Sequence, residues 1–170
     1  LSAPLGVFGV PGNHEYYSGL DEWMEQLRSL GITMLQNESA VLGNGVILAG
    51  VTDPASRHVG GELPDVRKAL AGTPADSFKI LLAHQPSLAA EAASEGVDLQ
   101  LSGHTHGGMI LGIDRLVGFF NDGFYSGLYT VGERMKLYVT NGAGIWNGFP
   151  VRIGHEAEVI LLQLKRTPAR

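Results

Sequence analysis

The hydrophobic and polar positions of the chain alternate in a way that predicts strands interleaved with helices. An apolar run at residues 5–10 predicts a short buried strand. Apolar residues three and four positions apart predict a helix at about residues 19–30, with Ser18 as its N-terminal cap. Two apolar runs on either side of Gly43-Asn44-Gly45 predict a β-hairpin.

The middle of the chain continues this order. Residues 53–61 are predicted to form a loop, and Pro64 is placed to open a short helix that ends at Leu70. The sequence FKILLAHQP, residues 78–86, is a nearly continuous apolar run, which is typical of a strand that is covered on both faces. A capped helix is predicted over residues 87–95.

The remaining segments predict more sheet. The sequence VDLQLSGHTHGG, residues 97–108, is a strand that runs into polar residues, and residues 126–131 and 135–141 predict a second hairpin. A last strand is predicted at residues 158–164, whereas the glycine- and aromatic-rich segment 107–126 fits neither pattern. Together these elements predict a single α/β domain, residues 1–170, with layered elements and a mixed sheet.

Charge and composition narrow the range of functions. The formal charge is −5, and no basic stripe is present to neutralise phosphates, so nucleic acid is not expected as a stable partner. A small anionic substrate would therefore need a local cation, such as a metal ion. Cysteine is absent, which excludes thiolate metal ligands, thiol nucleophiles and disulfides.

Polar residues follow three of the predicted strands at their ends. These residues are Asn13-His14-Glu15, His84-Gln85-Pro86 and His104-Thr105-His106. Ligands of open α/β sheets bind beyond the carboxyl ends of strands, and four of the six histidines lie there. Because neutral imidazole is a common metal ligand, this placement predicts a metal site. In an extended His-x-His segment both imidazoles share a face; in a turning loop, which the neighbouring glycines allow, they diverge toward two adjacent ions.

Three motifs in this order resemble the calcineurin-like metallophosphoesterase superfamily: GNHE at residues 12–15, LLAHQP at 81–86 and LSGHTHGG at 101–108. The resemblance is closer to the bacterial, often membrane-associated branch, because LYVTNGAG at 137–144 and Pro150-Val151-Arg152 also match, and it covers essentially the whole chain. It implies a layered sandwich of mixed β-sheets flanked by helices. It also implies a metal-dependent phosphohydrolase that cleaves phosphodiester or phosphomonoester bonds with a hydroxide activated by two divalent ions.

The resemblance also implies a role for each motif residue. Asn13, His84 and His104 would ligate one metal ion and His106 the other, with Mn, Fe or Zn as the divalent ions. His14 would face the phosphoryl group as general acid or charge stabiliser, and Glu15 would orient the turn. The implied substrate is a small phosphate ester, and the full-length protein would be membrane-associated or extracytoplasmic, with a cytoplasmic location as the alternative.

One departure from the family pattern limits this reading. An Asp-x-His motif and a later Gly-Asp motif, which supply the other ligand of the first metal and the bridging carboxylate, do not occur ahead of Asn13. We therefore expect a partial domain that carries the second half of the dimetal site and lacks the first strands of the sandwich. We expect the chain alone to be nearly inactive and to self-associate through open sheet edges.

Several residues keep two interpretations. A non-catalytic interaction scaffold on the same fold is the alternative function. A metal-independent nucleotide-binding domain is a third possibility, but this sequence lacks the Gly-rich phosphate loop that such a domain needs at a strand–helix junction. His58 and His155 fit no ligand spacing and are expected at the surface. Asp53 either bonds a ligand histidine or caps a loop, and Arg152 either steers a phosphate or pairs with a glutamate. Core packing is expected for five aromatic residues, with an apolar substrate wall or membrane contact as the alternative: Phe119, Phe120, Phe124, Trp146 and Phe149.

Overall fold

The computed structural model describes residues 1–146 and 150–165, so Phe149 lies outside the described residues. The α-helices of the described residues are α1 (Asn13–Tyr17), α2 (Leu20–Ser29), α3 (Val66–Ala69), α4 (Ala89–Ser94) and α5 (Asp114–Phe119). Short 3₁₀ helices cover Pro54–Val59, Pro86–Leu88 and His106–Gly108. Within this part of the chain, no helix combines the length and the apolar character that crossing a membrane requires.

The strands of the described residues form two sheets. They are β1 (Phe8–Gly9), β2 (Thr33–Met34), β3 (Glu38–Val41), β4 (Ile47–Gly50), β5 (Lys79–Leu82), β6 (Leu99–Ser102), β7 (Gly127–Val131) and β8 (Met135–Val139). β1 and β2 form a parallel pair, and the other strands form a six-stranded sheet in the order β3-β4-β5-β6-β8-β7. The predicted α/β class with a mixed sheet is confirmed.

The direction of the strands determines where a site can form. β4, β5, β6 and β8 are mutually parallel neighbours, whereas the two hairpins place antiparallel strands at the outer edges. The carboxyl ends of β5 and β6 therefore lie side by side at one edge of the sheet. The polar segments that follow these two strands meet at that edge, where open α/β sheets bind their ligands.

The central strands bury side chains on both faces. On one face Ala49 and Leu81 pack with α3 and α4, and on the other Leu48 and Ile80 pack with Leu35. This two-sided burial accounts for the nearly continuous apolar sequence of β5. Leu81 is fully buried, so truncating it to alanine should cost about 2–5 kcal/mol. The rigid sheet that results supports the polar loops at its carboxyl edge.

The last predicted strand, residues 158–164, is wrong. No strand is assigned there among the described residues, and Val159 and Leu161 are 91% and 95% exposed. The segment is held instead by Glu158, whose Oε1 accepts hydrogen bonds from the Tyr138 hydroxyl and the Asn141 amide. An apolar alternation forms a strand only when a partner strand supplies the ladder, and in the described part of the chain no strand pairs with this segment.

The predicted helix near residues 19–30 is present, but its cap and its buried face differ. Ser18 caps the C-terminal end of α1, and Gly19 is the N-terminal cap of α2. Of the expected apolar stripe, Met24 is buried, whereas Trp23 and Leu30 are 43% and 48% exposed. The segment predicted as a loop after Asp53 contains a six-residue 3₁₀ helix.

Candidate metal centre

Two histidines meet because they follow adjacent parallel strands. His84 lies two residues beyond β5 and His104 two residues beyond β6, and the Gly103 amide donates to the His84 carbonyl at 3.0 Å. The two imidazole rings are 5.1 Å apart between centroids and nearly perpendicular, at 78°. The parallel pairing of β5 and β6 thus places both imidazoles in one space, as the sequence predicts.

Asn13 reaches the same space from the first residue of α1. The preceding Gly12 is required for this approach, because a Cβ there would lie 2.9 Å from atoms of the His84 ring. The Gly12 amide donates to Glu15 Oε2 at 2.7 Å, so Glu15 orients the turn, which confirms that prediction. Glycine and glutamate together hold Asn13 against His84.

Three potential ligand atoms form a small triangle. The distances are 3.0 Å from Asn13 Oδ1 to His84 Nε2, 3.2 Å from Asn13 Oδ1 to His104 Nδ1, and 3.3 Å between the two nitrogens. Metal–ligand bonds of about 2.1 Å place neighbouring ligands roughly 3.0 Å apart in an octahedron and roughly 3.4 Å apart in a tetrahedron. The triangle therefore has the dimensions of one face of a coordination shell, and its donor set suits Mn, Fe or Zn.

Burial keeps these imidazoles neutral. It lowers the pKa of His84 to about 3, and charge on the neighbouring His104 and His106 adds to this effect. The pKa of His104 is lowered chiefly by burial and then by His106 and His14. The pKa of His106 is also lowered, by burial and by Arg152, although its bond to the Gly144 carbonyl opposes this. Neutral imidazoles present the lone pairs that a metal ion needs.

The low pKa of His84 predicts an acid-sensitive fold in the metal-free chain. Between pH 7.5 and 5.5 the unfolded state protonates His84 at its ordinary pKa of about 6.5, whereas the folded state does not, so folding loses about 1.4 kcal/mol from this residue. Urea unfolding with a chelator at both pH values should show this loss. A His84→Gln variant should lose less stability over the same interval, and an equal loss in both proteins would contradict the assignment.

His106 lies apart from the triangle but lines the same cleft. Its Nδ1 lies 3.2 Å from the Gly144 carbonyl oxygen and donates to it, which leaves the lone pair on Nε2. His104 and His106 have positive φ angles of 68° and 50°, so the His-x-His segment turns. Between them the buried Thr105 hydroxyl donates to the Tyr125 carbonyl at 2.6 Å. Thr105 anchors this turn, and its role could not be read from the sequence.

The cleft has a volume of about 330 Å³ and is lined by both polar and apolar side chains. The polar ones include the candidate ligands and His14, which is exposed. The apolar ones are Val117, Phe120 and Trp146, whose ring centroid lies 6.3 Å from that of His106. The expected core packing is confirmed for Phe124 but is wrong for Phe119 and Phe120, which are 79% and 74% exposed. The α5 segment therefore presents an apolar ridge beside the cleft.

Four further residues were given expectations from the sequence, and the structure bears on each of them. His155 is largely buried, and its Nε2 lies 3.3 Å from Asp114 Oδ2, so the expected surface position is wrong. Asp53 caps the 3₁₀ helix through the Ala55 amide and accepts two bonds from the Gln85 amide group, which favours the loop-capping interpretation. Arg152 binds backbone carbonyls instead of a glutamate side chain. His58 is exposed, as expected.

The number of anionic donors at the centre is low. Across residues 1–146 and 150–165, no three His, Cys, Asp or Glu side chains converge as a metal-binding group. The triangle consists of two imidazoles and one amide oxygen, and the imidazole of His106 is a fourth donor at a distance. The donors of the triangle are of the kind that would hold a divalent ion.

Comparisons with known proteins identify relatives that are named as metallophosphoesterases. An uncharacterized metallophosphoesterase of Helicobacter pylori is 41% identical over 165 residues, which is 96% of this chain and 44% of that protein. A Bos taurus protein named as a transmembrane protein with metallophosphoesterase domain is 37% identical over 99% of this chain and 40% of its own length. An Aquifex aeolicus metallophosphoesterase is 34% identical over 97% of this chain and 63% of its own length.

The chain thus spans about half the length of the curated relatives it matches. No family model and no solved structure matches it. The relatives nevertheless align with nearly every residue of the chain, including the segments that form the triangle. The chain belongs to the calcineurin-like metallophosphoesterase superfamily.

Proposed function

We propose that this chain is part of a metal-dependent phosphohydrolase that cleaves phosphodiester or phosphomonoester bonds. The observation that carries the proposal is the triangle of Asn13 Oδ1, His84 Nε2 and His104 Nδ1, with edges of 3.0–3.3 Å. The names of the relatives support the same class of reaction. Asn13, His84 and His104 would hold one divalent ion, and His106 Nε2 would contribute to a second.

Divalent ions at these positions supply Lewis acidity toward the phosphoryl oxygens and a nucleophilic water at neutral pH. The side chains of this chain contribute the rest. The triangle presents three neutral donors in a fixed arrangement, so little reorganisation is needed on binding. The apolar side chains of Val117, Phe120 and Trp146, which also line the cleft, would reduce the contact of a bound substrate with bulk water.

The charge of the cleft supports a small phosphate ester as substrate. Among the described residues, no Lys or Arg side chain and no carboxylate lines the cleft. Arg152, whose guanidinium contacts the backbone of His106, is committed to backbone carbonyls. Phosphate binding would therefore depend on the metal ions, because the described lining residues include no Lys or Arg to hold the further phosphates of a polyphosphate or a nucleic-acid backbone.

His14 is proposed as the general acid. It follows Asn13 in α1, lines the cleft and is exposed, so its imidazole is free to approach the oxygen of the leaving group. From there it would donate a proton to that oxygen as the P–O bond breaks. Because His14 follows Asn13 but contributes no atom to the triangle, it could transfer a proton without being needed for metal binding.

Replacing His14 by alanine in an active protein that contains this chain should lower kcat by roughly a hundredfold on an alkyl ester and leave the metal content unchanged. The loss should be much smaller on a p-nitrophenyl ester, because p-nitrophenolate leaves without a proton. Steady-state kinetics on both esters, with metal analysis, measure this difference.

The control is His58→Ala, which removes an exposed imidazole outside the cleft. Equal losses on the two esters would exclude the general-acid role and leave charge stabilisation. A protein containing this chain that bound no divalent ion and hydrolysed neither ester would instead support the scaffold function.

We further propose that this chain holds only the second half of the dimetal site. Support comes from the lack of an Asp-x-His or Gly-Asp motif ahead of Asn13 and from the absence of carboxylates among the described cleft residues. A carboxylate between two cations offsets their repulsion, which neutral imidazoles do not do. The second ion therefore needs ligands beyond His106.

A further inference from the structure

Arg152 joins three loops at the edge of the cleft. Its Nη1 donates to the His106 carbonyl at 3.1 Å, and its Nη2 donates to the carbonyls of Asn141 and Gly144 at 3.1 and 2.5 Å. Nη1 also lies 3.4 Å from two carbonyls at residues 155–156. Among the described residues no carboxylate pairs with this guanidinium, so its charge is balanced by backbone dipoles.

One of these carbonyls also sets the state of His106. The Gly144 oxygen accepts from Arg152 Nη2 and, at 3.2 Å, from His106 Nδ1. A carbonyl oxygen only accepts, so the neutral imidazole carries its proton on Nδ1 and its lone pair on Nε2. The guanidinium fixes the position of the oxygen that selects this tautomer.

The backbone of His106 needs such support. Its φ angle of 50° is in the left-handed region, which is disfavoured for residues other than glycine. Strained residues of this kind persist where surrounding contacts determine them. Arg152 supplies one of those contacts directly, through the His106 carbonyl, and a second indirectly, through Gly144.

We propose that Arg152 is a positioning residue for His106: it fixes the Nδ1–H tautomer and directs the Nε2 lone pair toward the cleft. The proposal rests on the proposed function only in naming a divalent cation as the partner of Nε2. Lysine would not replace it, because a single ammonium group lacks the planar fork that reaches carbonyls on several loops.

The tautomer is measured in the metal-free chain, where activity plays no part. The chain of 18.1 kDa, labelled with ¹⁵N at histidine and kept with a chelator above the ordinary imidazole pKa, gives long-range ¹H–¹⁵N spectra that distinguish the two tautomers. His106→Gln identifies the resonances. We expect Nδ1–H in the wild-type chain and a shift toward Nε2–H in both Arg152→Met and Arg152→Lys.

The control is Arg134→Met, which removes an exposed guanidinium that lies 3.7 Å from Asp98 and outside the cleft. Its spectrum should match the wild-type. A lower Tm for Arg152→Met with an unchanged tautomer would overturn the proposal, because Arg152 would then only stabilise the fold. A wild-type chain with His106 in the Nε2–H form would overturn it without any variant, even if Arg152→Met failed to fold.

A second measurement links the tautomer to metal. In a protein that binds two divalent ions, Arg152→Met should weaken one of them by about 10- to 100-fold and leave the ion at the triangle in place. If the variant bound both ions with the wild-type affinities, the positioning role would be overturned. If the wild-type protein binds no divalent ion, the proposed function fails, whereas the tautomer spectra still test Arg152.

Discussion

Replacing His104 by alanine is expected to remove the divalent ion from the candidate centre. His104 Nδ1 is within 3.3 Å of both other triangle atoms, so its loss leaves one imidazole and one amide oxygen. Loss of a group that merely orients a ligand costs about 10- to 100-fold in affinity, and loss of the ligand itself should cost more. Calorimetric titration of the chain with Mn²⁺ or Zn²⁺, and metal analysis after gel filtration, measure the loss.

Two variants serve as controls for this experiment. His14→Ala alters the same cleft without touching the triangle, and His58→Ala removes an exposed imidazole outside it. Both should retain metal at the wild-type level. A His104→Ala protein with full metal content, or a His14→Ala protein without metal, would mean that the ligands have been assigned to the wrong residues.

The parts of the fold that were predictable depend on local sequence patterns. The hairpin around Gly43-Asn44-Gly45 and the apolar run of β5 each contain, within a few residues, the turn chemistry or the two-sided burial that defines them. The strand predicted at residues 158–164 had the apolar pattern but depended on a distant partner. Which strands pair is determined by the tertiary structure. The tertiary structure also determines which apolar residues of the predicted helix are buried, and it leaves Trp23 and Leu30 exposed.

The candidate site likewise has features that follow from local sequence patterns and features that depend on the complete fold. The meeting of His84 and His104 follows from two parallel strands with polar residues at their carboxyl ends, which the sequence displays. The positive φ of His106 does not follow, because residues other than glycine adopt it only when surrounding contacts compensate.

Arg152 shows why charge alone misleads. Its positive charge suggested an anionic partner, either a phosphate or a glutamate. The structure pairs it with the backbone carbonyls of three loops, whose positions depend on the complete fold. His155 is similar: its partner Asp114 lies in a segment whose helix had no clear sequence pattern. Contacts between loops are the part of a site that sequence reasoning reaches last.

The isolated 170-residue chain is expected to hydrolyse phosphoesters far below the turnover of about 1–10³ s⁻¹ that is usual for enzymes, even with metal supplied. The triangle offers ligands for one ion. Among the described residues, two further imidazoles line the cleft, His14 and His106, and since His14 is assigned to proton transfer, His106 is the donor left for a second ion. One neutral imidazole competes poorly with water for a divalent ion. Without two ions the nucleophile and the leaving oxygen are not both stabilised. Hydrolysis of bis(p-nitrophenyl) phosphate with excess Mn²⁺ measures the rate.

A chimera tests whether missing ligands are the cause. The chain spans 44% of the Helicobacter pylori relative and is 41% identical to the part it matches, so it can be exchanged into that protein in place of the matching segment. The chimera should hydrolyse the diester at least a hundredfold faster than the isolated chain, because remaining segments would supply carboxylate ligands to the ion at His106. The same chimera with His104→Ala should be inactive, which shows that activity depends on this chain's own triangle. An isolated chain that already turns over in the usual range would contradict the half-site proposal, since its own residues would then complete the centre.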